Sequence, residues 1–349
     1  MNPMAGVLLI AVGGLAAGSF LIPLKKVRNW AWESSWLALG LSAWVIVPVM
    51  VACISVPGLG HILKSSPVSS LIWCYVFGLL WGVGGLTFGL SMRYLGMSLG
   101  YSLALGCTAA FGTIIPPVYY RTFLHLLRQP SGRVTFAGVL VCLAGIAVVG
   151  WAGMVKEQLL TDEQKKAAVR EFDFRKGLLI AVICGVMSAC FAFGIAAGKP
   201  IAARAVEAGA ASLWQNGPVF VVIMAGGFTT NLLWCLFLSL KNRSARDFIN
   251  LKGSPLAANY FFAVLAGLIW YLQFMFYGMG ATKMGKYDFS SWSILMAFVI
   301  VFSNIWGLAL KEWKGSDRRI YVLIGAGIVI LILSTFVIGV GNFLAARGR

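Results

Sequence analysis

Ten apolar runs, each 20 to 27 residues long, recur along this chain and constrain its fold more than any other feature. A helix needs roughly 20 apolar residues to cross the hydrocarbon core of a bilayer. The short alternation of a transmembrane β-barrel is absent. The sequence therefore predicts an all-α integral membrane protein with ten transmembrane helices. The runs lie near residues 4–24, 34–56, 71–92, 95–120, 134–153, 177–198, 214–240, 258–281, 289–310 and 320–343.

Composition excludes a water-soluble protein. Of 349 residues, 60% are hydrophobic and 11% are charged, whereas soluble domains are about one quarter charged. Ten crossings with short loops use nearly the whole chain, so there is no room for a sizeable soluble domain. The net charge of +17 sits in loops between apolar runs without a basic stripe. The expected surroundings are therefore a lipid bilayer, and no nucleic acid partner is expected.

Loop charges predict the orientation of the chain. Counting the runs as spans 1 to 10, the connections 1–2, 3–4, 5–6, 7–8 and 9–10 hold 18 of the 28 Lys and Arg residues. Cytoplasmic loops carry the excess of basic residues. This predicts that both termini are periplasmic. The first run lacks a positive segment before it, so it is expected to be a retained span and not a signal peptide.

A charged connection at residues 154–176 divides the chain into two halves, 1–153 and 177–349. It carries 11 charges of mixed sign and is predicted to be a cytoplasmic linker. With five spans on each side, the second half enters the bilayer upside down relative to the first. This predicts a 5+5 inverted repeat, an architecture of transporters that bind substrate near the bilayer midplane. The prediction comes from the span count, because the two halves have no clear sequence repeat.

A run of small residues marks the third span. Gly78, Gly82, Gly85 and Gly89 follow the i, i+4, i+7, i+11 spacing of one helix face. Small residues at this spacing let membrane helices approach closely. The face is predicted to be a packing surface, with a sliding surface for rocking motions as the alternative.

Clusters of polar and aromatic residues are the candidate substrate site. Trp270, Gln273 and Tyr277 share one face of a helix at i, i+3, i+7. Sugars have apolar C–H faces and polar edges, so their pockets combine aromatic rings with a few hydrogen-bonding groups. The alternative is the interfacial belt of Trp and Tyr found at membrane surfaces. Four further candidates are Trp81 in span 3, Gln215 and Asn216 before a Gly-Pro interruption of span 7, and Trp292 in span 9.

Two acidic residues are candidates for binding a proton. Glu33 begins span 2 and Asp288 begins span 9. Ionisable groups within membrane segments are costly and usually functional. Each acid also lies near a helix start, where it can instead cap the helix or complement its dipole.

Signatures of enzymes, metals and cofactors are missing. His61 and His125 lie in or beside loops, and no H-E-x-x-H, P-loop or G-x-S-x-G motif occurs. The seven cysteines lie in apolar runs and form no C-x-x-C pair. No enzyme activity, metal or cofactor is therefore expected.

Several ordered motifs resemble the bacterial L-rhamnose–proton symporter family. They run from about residue 20 to 313: Phe20-x-x-Pro23-x-Lys25-Lys26-Val27, Trp30-x-Trp32-Glu33, Trp81-Gly-Val-Gly84, Gly89-Leu-Ser-Met-Arg-Tyr-Leu-Gly-Met-Ser98, Lys199-Pro200, Trp270-Tyr-Leu-Gln-Phe274, Tyr287-Asp288 and Lys311-Glu-Trp313. The resemblance implies a ten-helix fold of the drug/metabolite transporter type in the bacterial inner membrane. It also implies uptake of L-rhamnose with a proton.

One stretch departs from that family. Span 3 carries Gly84-Gly85-Leu-Thr-Phe88-Gly89 where an Asn-containing G-x-G-N-x-x-Y-G is expected. A related deoxysugar or pentose stays open as the substrate. The alternatives to sugar uptake are an exporter of another metabolite, a membrane-embedded enzyme acting on lipid-linked sugar, and a sugar sensor that does not transport.

Overall fold

The computed structural model describes residues 2–95, 97–119, 121–158, 173–249, 253–310 and 317–347. Within these ranges the regular structure is helical. We number the α-helices α1 Pro3–Ser19, α2 Leu21–Leu24, α3 Trp32–Leu41, α4 Val47–Ser55, α5 Leu59–Ser65, α6 Val68–Leu95, α7 Met97–Tyr119, α8 Phe123–Arg128, α9 Pro130–Gln158, α10 Phe174–Ala197, α11 Lys199–Glu207, α12 Gly217–Asn242, α13 Leu256–Ala281, α14 Ser291–Ala309 and α15 Arg318–Arg347.

Nine helical segments in the described ranges are long and apolar enough to cross a membrane. Each matches one predicted span, and the all-helical membrane fold is therefore confirmed at this level. The predicted fourth span corresponds to α7, whose described apolar stretch is the shorter Leu103–Tyr119.

The second crossing is continuous but not uniformly α-helical. A π-helical turn, Ser42–Ile46, joins α3 to α4. Pro48 lies in the first turn of α4. A proline lacks the N–H that would bond to the carbonyl four residues earlier, and its ring clashes with that carbonyl, here of Trp44. A π-turn accommodates this defect, so the sequence itself explains why the helix widens at Trp44.

The Gly-Pro pair of span 7 does not interrupt a helix, which corrects the sequence prediction. Asn216 is the N-cap residue, and Pro218 lies in the first turn of α12. The first N–H groups of a helix have no intrahelical partner, so proline is tolerated there. The pair therefore marks the beginning of a helix of 26 residues.

Helices extend into both ends of the predicted linker. Helix α9 continues to Gln158, and α10 begins at Phe174. Asp173 directly precedes α10. Its side chain accepts a hydrogen bond from the backbone N–H of Lys176 at 3.0 Å and forms an ion pair with Nζ of the same lysine at 3.1 Å. The backbone hydrogen bond lowers the pKa of the exposed Asp173 carboxyl. Residues 159–172, with the predicted linker charges Lys165, Lys166 and Arg170, lie outside the described residues.

The glycine face of α6 packs over only part of its length. A Cβ at Gly78 would collide with the carbonyl of Ile223, and one at Gly82 would lie 2.8 Å from the side chain of Thr230. At Gly85 and Gly89, a Cβ would meet no described atom within 4 Å. The prediction of a packing face is therefore confirmed for the first two glycines, and it stays a prediction for Gly85 and Gly89.

The chain divides into two compact units, each built from segments that are distant in the sequence. Unit A contains Met1–Gly18, Gly84–Ala192 and Gly280–Arg349; unit B contains Ser19–Val83 and Phe193–Met279. The predicted halves, 1–153 and 177–349, describe chain order and stay a prediction.

Within unit A, small residues bring α9 and α15 together. A Cβ at Gly138 would lie 2.6 Å from Ile338, and one at Gly327 would lie 2.5 Å from Val149. Close backbone approach of this kind is a common source of helix association in membranes, where the surrounding lipid is as apolar as the side chains.

Contacts between loops agree with alternating crossings. In unit B, the backbone N–H of Arg28 in connection 1–2 donates to Asn259 beside connection 7–8, at 3.0 Å. In unit A, the N–H of Asp173 in connection 5–6 donates to the carbonyl of Tyr94 beside connection 3–4, at 3.2 Å. Loops predicted to share a membrane side are thus neighbours. Which side is cytoplasmic stays a prediction.

Candidate functional site

The candidate site in unit B is an aromatic cluster formed by three separate crossings. Its centre is Trp270, whose ring centroid lies 5.6 Å from that of Trp44 and 6.0 Å from that of Trp81. Trp44 and Trp81 are 6.2 Å apart, edge to face. Trp36 lies 5.9 Å from Trp44. We call Trp36, Trp44, Trp81 and Trp270 the tryptophan cluster.

Two phenylalanines pack against the tryptophan cluster. Phe20 stacks on Trp270 with ring centroids 5.3 Å apart and planes 19° from parallel. Phe274 meets Trp81 edge to face at 5.3 Å. Offset stacks and edge-to-face contacts are the favoured geometries of aromatic pairs, so the rings support one another in a fixed arrangement.

Three of these tryptophans lie at the middle of their crossings. Trp270 is fourteen residues after Leu256 and eleven before Ala281. Trp81 is thirteen residues after Val68 and fourteen before Leu95. Trp44 is near the middle of the crossing Trp32–Ser55. At 1.5 Å per residue each tryptophan lies about 16–21 Å along the axis from either helix end. Half of the hydrocarbon core is about 15 Å, so the middle of a spanning helix corresponds to the bilayer midplane.

Two indole N–H groups of the cluster are buried without a hydrogen-bond acceptor among the described residues: Nε1 of Trp44 and Nε1 of Trp270. In contrast, Nε1 of Trp36 donates to Oδ1 of Asn231 at 3.0 Å. Buried donors are almost always paired, and leaving one unpaired costs about 1–3 kcal/mol. The cluster therefore offers two donors that a bound molecule with oxygen acceptors would satisfy.

Glycine makes room for two of the rings. A Cβ at Gly40 would lie 2.5 Å from the ring of Trp44, and one at Gly227 would lie 2.6 Å from the ring of Trp81. Real Cβ atoms do not come this close. A larger residue at either position would displace a ring of the cluster.

The polar candidates of unit B lie on the same helix as Trp270 or beside its end. Gln273 and Tyr277 are 8% and 4% exposed, one and two turns beyond Trp270 on α13. Nδ2 of Asn216 lies 3.5 Å from the carbonyl oxygen of Gly278, next to Tyr277. Gln215, the preceding residue, is partly buried. The face of α13 that the helical spacing predicted is thus buried at Gln273 and Tyr277.

Trp292 belongs to unit A. Its Nε1 donates to the carbonyl of Thr108 at 3.1 Å, and its ring stacks on Phe191 with centroids 6.0 Å apart. It is 2% exposed. These contacts show how the ring is held, and its role toward a substrate stays a prediction.

Glu33 lies in a hydrogen-bonded arrangement at the start of α3. Its Oε1 accepts from Oγ of Ser244 at 2.7 Å and from Nδ2 of Asn242 at 3.0 Å. Oδ2 of Asp247 accepts from the backbone N–H of Ala31 and from Oγ of Ser34, both at 2.8 Å. We call Glu33, Ser34, Asn242, Ser244 and Asp247 the polar clamp.

The polar clamp supplies a cap that the local sequence lacks. Ala31 is the N-cap of α3 and makes no side-chain cap bond, because alanine has no hydrogen-bonding side chain. Asp247, 216 residues further along the chain, accepts the free backbone N–H instead. An alanine at the N-cap indicates that the hydrogen-bond acceptor must come from elsewhere in the chain. It does not identify which acidic residue supplies that acceptor.

Asp288 lies in a 3-10 helix, Gly285–Ser290, directly before α14. Its side chain is partly buried. Its backbone carbonyl accepts the N–H of Ser291, the C-cap residue. Asp288 therefore lies at the start of this crossing, as the sequence predicted. Its proton-binding role stays a prediction.

Sequence reasoning missed three members of this region: Trp36, Trp44 and Asn231. Trp44 and Trp36 are two turns apart on one crossing, a spacing that indicates a shared face. No local pattern indicates that Asn231, from a distant helix, accepts the indole N–H of Trp36.

Comparison with known proteins identifies relatives over nearly the whole chain. The family described as L-rhamnose-proton symport protein (RhaT) matches residues 2–345. Relatives named L-rhamnose-proton symporter occur in Yersinia pestis (strain Pestoides F) and Yersinia pseudotuberculosis serotype O:1b (strain IP 31758). Each is 38% identical over 339 residues, covering 96% of this chain and 97% of the relative.

Proposed function

The chain belongs to the L-rhamnose-proton symport family, and we propose that it takes up L-rhamnose together with a proton by alternating access. The family is one of secondary transporters and not of enzymes. This membership agrees with the transporter function expected from the ten apolar runs.

The proposed architecture is ten crossings in a 5+5 inverted repeat of the drug/metabolite transporter type. In such a repeat, span n of the first half corresponds to span n+5 of the second. Spans 4, 5, 9 and 10 belong to unit A, and spans 2 and 7 to unit B, so corresponding partners share a unit. Spans 1 and 6 both begin in unit A and end in unit B. This correspondence supports the repeat, which the sequence alone supports only by span count.

The observation that carries the sugar site is the pair of buried indole donors in the tryptophan cluster that have no acceptor among the described residues. A sugar can stack its C–H face on the rings of Trp81 and Trp270. Its ring and hydroxyl oxygens can accept from Nε1 of Trp44 and Trp270. Because both donors lie at mid-helix, the proposed site has the depth at which transporters bind substrate.

The remaining proposed sugar contacts supply polar recognition. Gln273 and Tyr277 continue the face of Trp270, and Asn216 and Gln215 lie at the end of that face. Amide groups both donate and accept, which suits a ring of hydroxyls. Trp292 is retained as a proposed contact on its sequence pattern alone.

A 6-deoxysugar suits this mostly aromatic site because its methyl group needs an apolar neighbour. Span 3 carries Gly85 and Phe88 where the family motif has an amide and a hydroxyl, so span 3 adds little polar selectivity. We propose L-rhamnose as the substrate, with a closely related deoxysugar or pentose as the alternative.

We assign the coupling proton to Asp288, with Glu33 as the alternative. The burial of Glu33 is accounted for by its hydrogen bonds to Ser244 and Asn242, which connect the start of α3 to the end of α12 and the 3-10 helix after it. A proton drives uptake only if its binding favours a state that also binds the sugar. We further propose that the protein resides in the bacterial inner membrane with both termini periplasmic.

The function is tested with purified protein in proteoliposomes. Adding L-rhamnose outside should raise the external pH as proton and sugar enter together, and a protonophore should abolish this change. L-Rhamnose inside should accelerate uptake of labelled L-rhamnose by counterflow. The absence of both signals would refute the proposal, and counterflow without proton movement would refute coupling. A panel of L-rhamnose, L-mannose, L-lyxose and L-fucose identifies the preferred sugar by the largest thermal stabilisation.

The proton assignment is tested by Asp288→Asn. This variant should lose accumulation against a gradient, because no proton binds, and should keep counterflow of L-rhamnose, because exchange needs no proton. Accumulation at the wild-type level would mean that Asp288 only caps its helix.

A further inference from the structure

Unit A carries a cavity that none of the proposed sugar contacts and neither proposed proton site lines. It is a cavity of about 380 Å³ between α7 and α9. Its walls are almost entirely apolar and contain several small residues. They are Leu103, Gly106, Cys107, Ala110, Phe111, Leu143, Ile146, Ala147, Gly150 and Met154. We call it the α7–α9 groove.

The groove has the length of one bilayer leaflet. Along α7 it extends from Leu103 to Phe111, about 12 Å at 1.5 Å per residue; along α9 it extends from Leu143 to Met154, about 16 Å. Half of the hydrocarbon core is about 15 Å. Met154 is four residues from the end of α9 at Gln158. The groove therefore extends from the membrane surface to the middle of the bilayer, on the side predicted to be cytoplasmic.

A basic and aromatic pair lies at the surface end of the groove. The Arg319 guanidinium lies 5.6 Å from the ring centre of Trp151. Trp151 is 47% exposed and adjoins Gly150 of the groove wall. Within the described part of the chain, Arg319 forms no ion pair with a carboxylate. A tryptophan beside a cation at this depth is typical of the membrane interface, and guanidinium groups bind phosphate well.

We infer that the α7–α9 groove binds one anionic phospholipid. An acyl chain lies in the groove, and the headgroup phosphate is bound by Arg319. The environment of the groove is lipid, its walls match a hydrocarbon chain, and its charged end complements an anionic headgroup. Basic sites at the cytoplasmic ends of transmembrane helices bind anionic headgroups in this way.

The inference is tested by native mass spectrometry of the full-length protein mixed with equal amounts of phosphatidylglycerol and phosphatidylethanolamine. Wild type should retain one phosphatidylglycerol in preference to phosphatidylethanolamine. Ala147→Phe fills the groove and should lower retention of both lipids at least fivefold. Arg319→Gln should remove the preference for phosphatidylglycerol while leaving total retention close to wild type.

Matched controls separate the site from general effects. Val329→Phe adds the same ring at an exposed position of α15, and Arg204→Gln removes an exposed arginine of α11. Both should retain lipid as wild type does. If Ala147→Phe does not fold, Gly106→Val fills the groove from α7, where a Cβ would lie 3.6 Å from Ile146, an ordinary contact.

Three results would overturn the inference. Wild-type retention in a folded groove-filling variant would mean that the lipid binds elsewhere. A groove-filling variant that dissociates a dimer while keeping its lipid would identify a second copy of the chain as the occupant. An unchanged preference for phosphatidylglycerol in Arg319→Gln would remove the headgroup assignment.

Discussion

In unit B, the tryptophan cluster leaves two buried indole N–H groups without an acceptor among the described residues, whereas the polar clamp pairs its buried groups with one another. The N–H groups of Trp44 and Trp270 have no described partner. Glu33 and Asp247 each accept two hydrogen bonds at one oxygen. Unpaired buried donors are costly, so they are expected where a ligand completes them. Paired groups are expected where the protein must hold its own structure.

This contrast separates binding from stability. Changes in the tryptophan cluster should affect sugar affinity more than thermal stability, and changes in the polar clamp should do the reverse. The predictions below test that separation, beginning with the largest effect.

Removing the central ring should have the largest effect. Trp270→Ala should weaken L-rhamnose binding about 30-fold or more, as loss of a buried aromatic contact costs at least about 2 kcal/mol. Trp270→Phe keeps an aromatic face and loses the N–H, so it should weaken binding about tenfold. The measurement is the dissociation constant from ligand-induced thermal stabilisation.

The matched control for these variants is Trp234→Phe. Trp234 is 41% exposed and lies outside the cluster, on α12. Wild-type affinity in Trp270→Phe would show that the indole N–H does not contact the sugar, and the proposed role of the unpaired donors would fail.

Crowding a ring should affect both properties. Gly227→Ala introduces a Cβ 2.6 Å from the ring of Trp81, and such overpacking costs about 1–3 kcal/mol. Both the melting temperature and L-rhamnose affinity should fall. Gly325→Ala is the control, because a Cβ there meets no described atom within 4 Å. Equal behaviour of the two variants would mean that Trp81 is free to move.

Breaking the clamp should lower stability with little effect on affinity. Asp247→Ala removes the acceptor of the Ala31 N–H and the shorter of the two hydrogen bonds of the Ser34 hydroxyl, which keeps the carbonyl of Ser244 at 3.5 Å. This should cost about 1–2 kcal/mol. The melting temperature should fall, and Asp247→Asn should restore part of it because one oxygen acceptor remains. Glu207→Ala, at an exposed position, is the control. If Asp247→Ala weakened L-rhamnose binding as much as Trp270→Phe does, the assignment of stability to the polar clamp and of binding to the tryptophan cluster would be wrong.

The smallest effect is expected for Glu33→Gln. The glutamine oxygen can still accept from Ser244 and Asn242, so accumulation of L-rhamnose should stay within about twofold of wild type and stability should fall by less than about 1 kcal/mol. Uptake and melting temperature measure the two quantities. Loss of accumulation with intact counterflow would instead identify Glu33 as the proton carrier.

Much of the fold was predictable because few backbone conformations can span a bilayer. Spanning segments must satisfy their backbone hydrogen bonds internally, so long apolar runs indicate helices directly. Helix beginnings were less predictable. From the sequence alone, the pair Gly217 and Pro218 predicts an interruption of a helix. In the structure it marks the beginning of one, because proline is tolerated in a first turn.

The candidate site was predictable only in part. The face of Trp270, Gln273 and Tyr277 follows from helical periodicity, and these residues are adjacent along α13. The contact between Trp270 and Trp44 joins crossings more than 200 residues apart, and periodicity within one helix contains no information about such neighbours.

The sequence by itself determined the number and length of the apolar segments, their charged connections, and the residue motifs that its relatives share. Each of these depends on neighbours along the chain and on the thickness of the bilayer. Only the tertiary structure decided which buried polar groups are paired. It showed that Asp247 caps a helix 216 residues away and that two indole donors near the middle of their helices have no acceptor among the described residues. The physical reason is that hydrogen bonding and ring packing act over a few ångströms in space, whatever the separation in sequence.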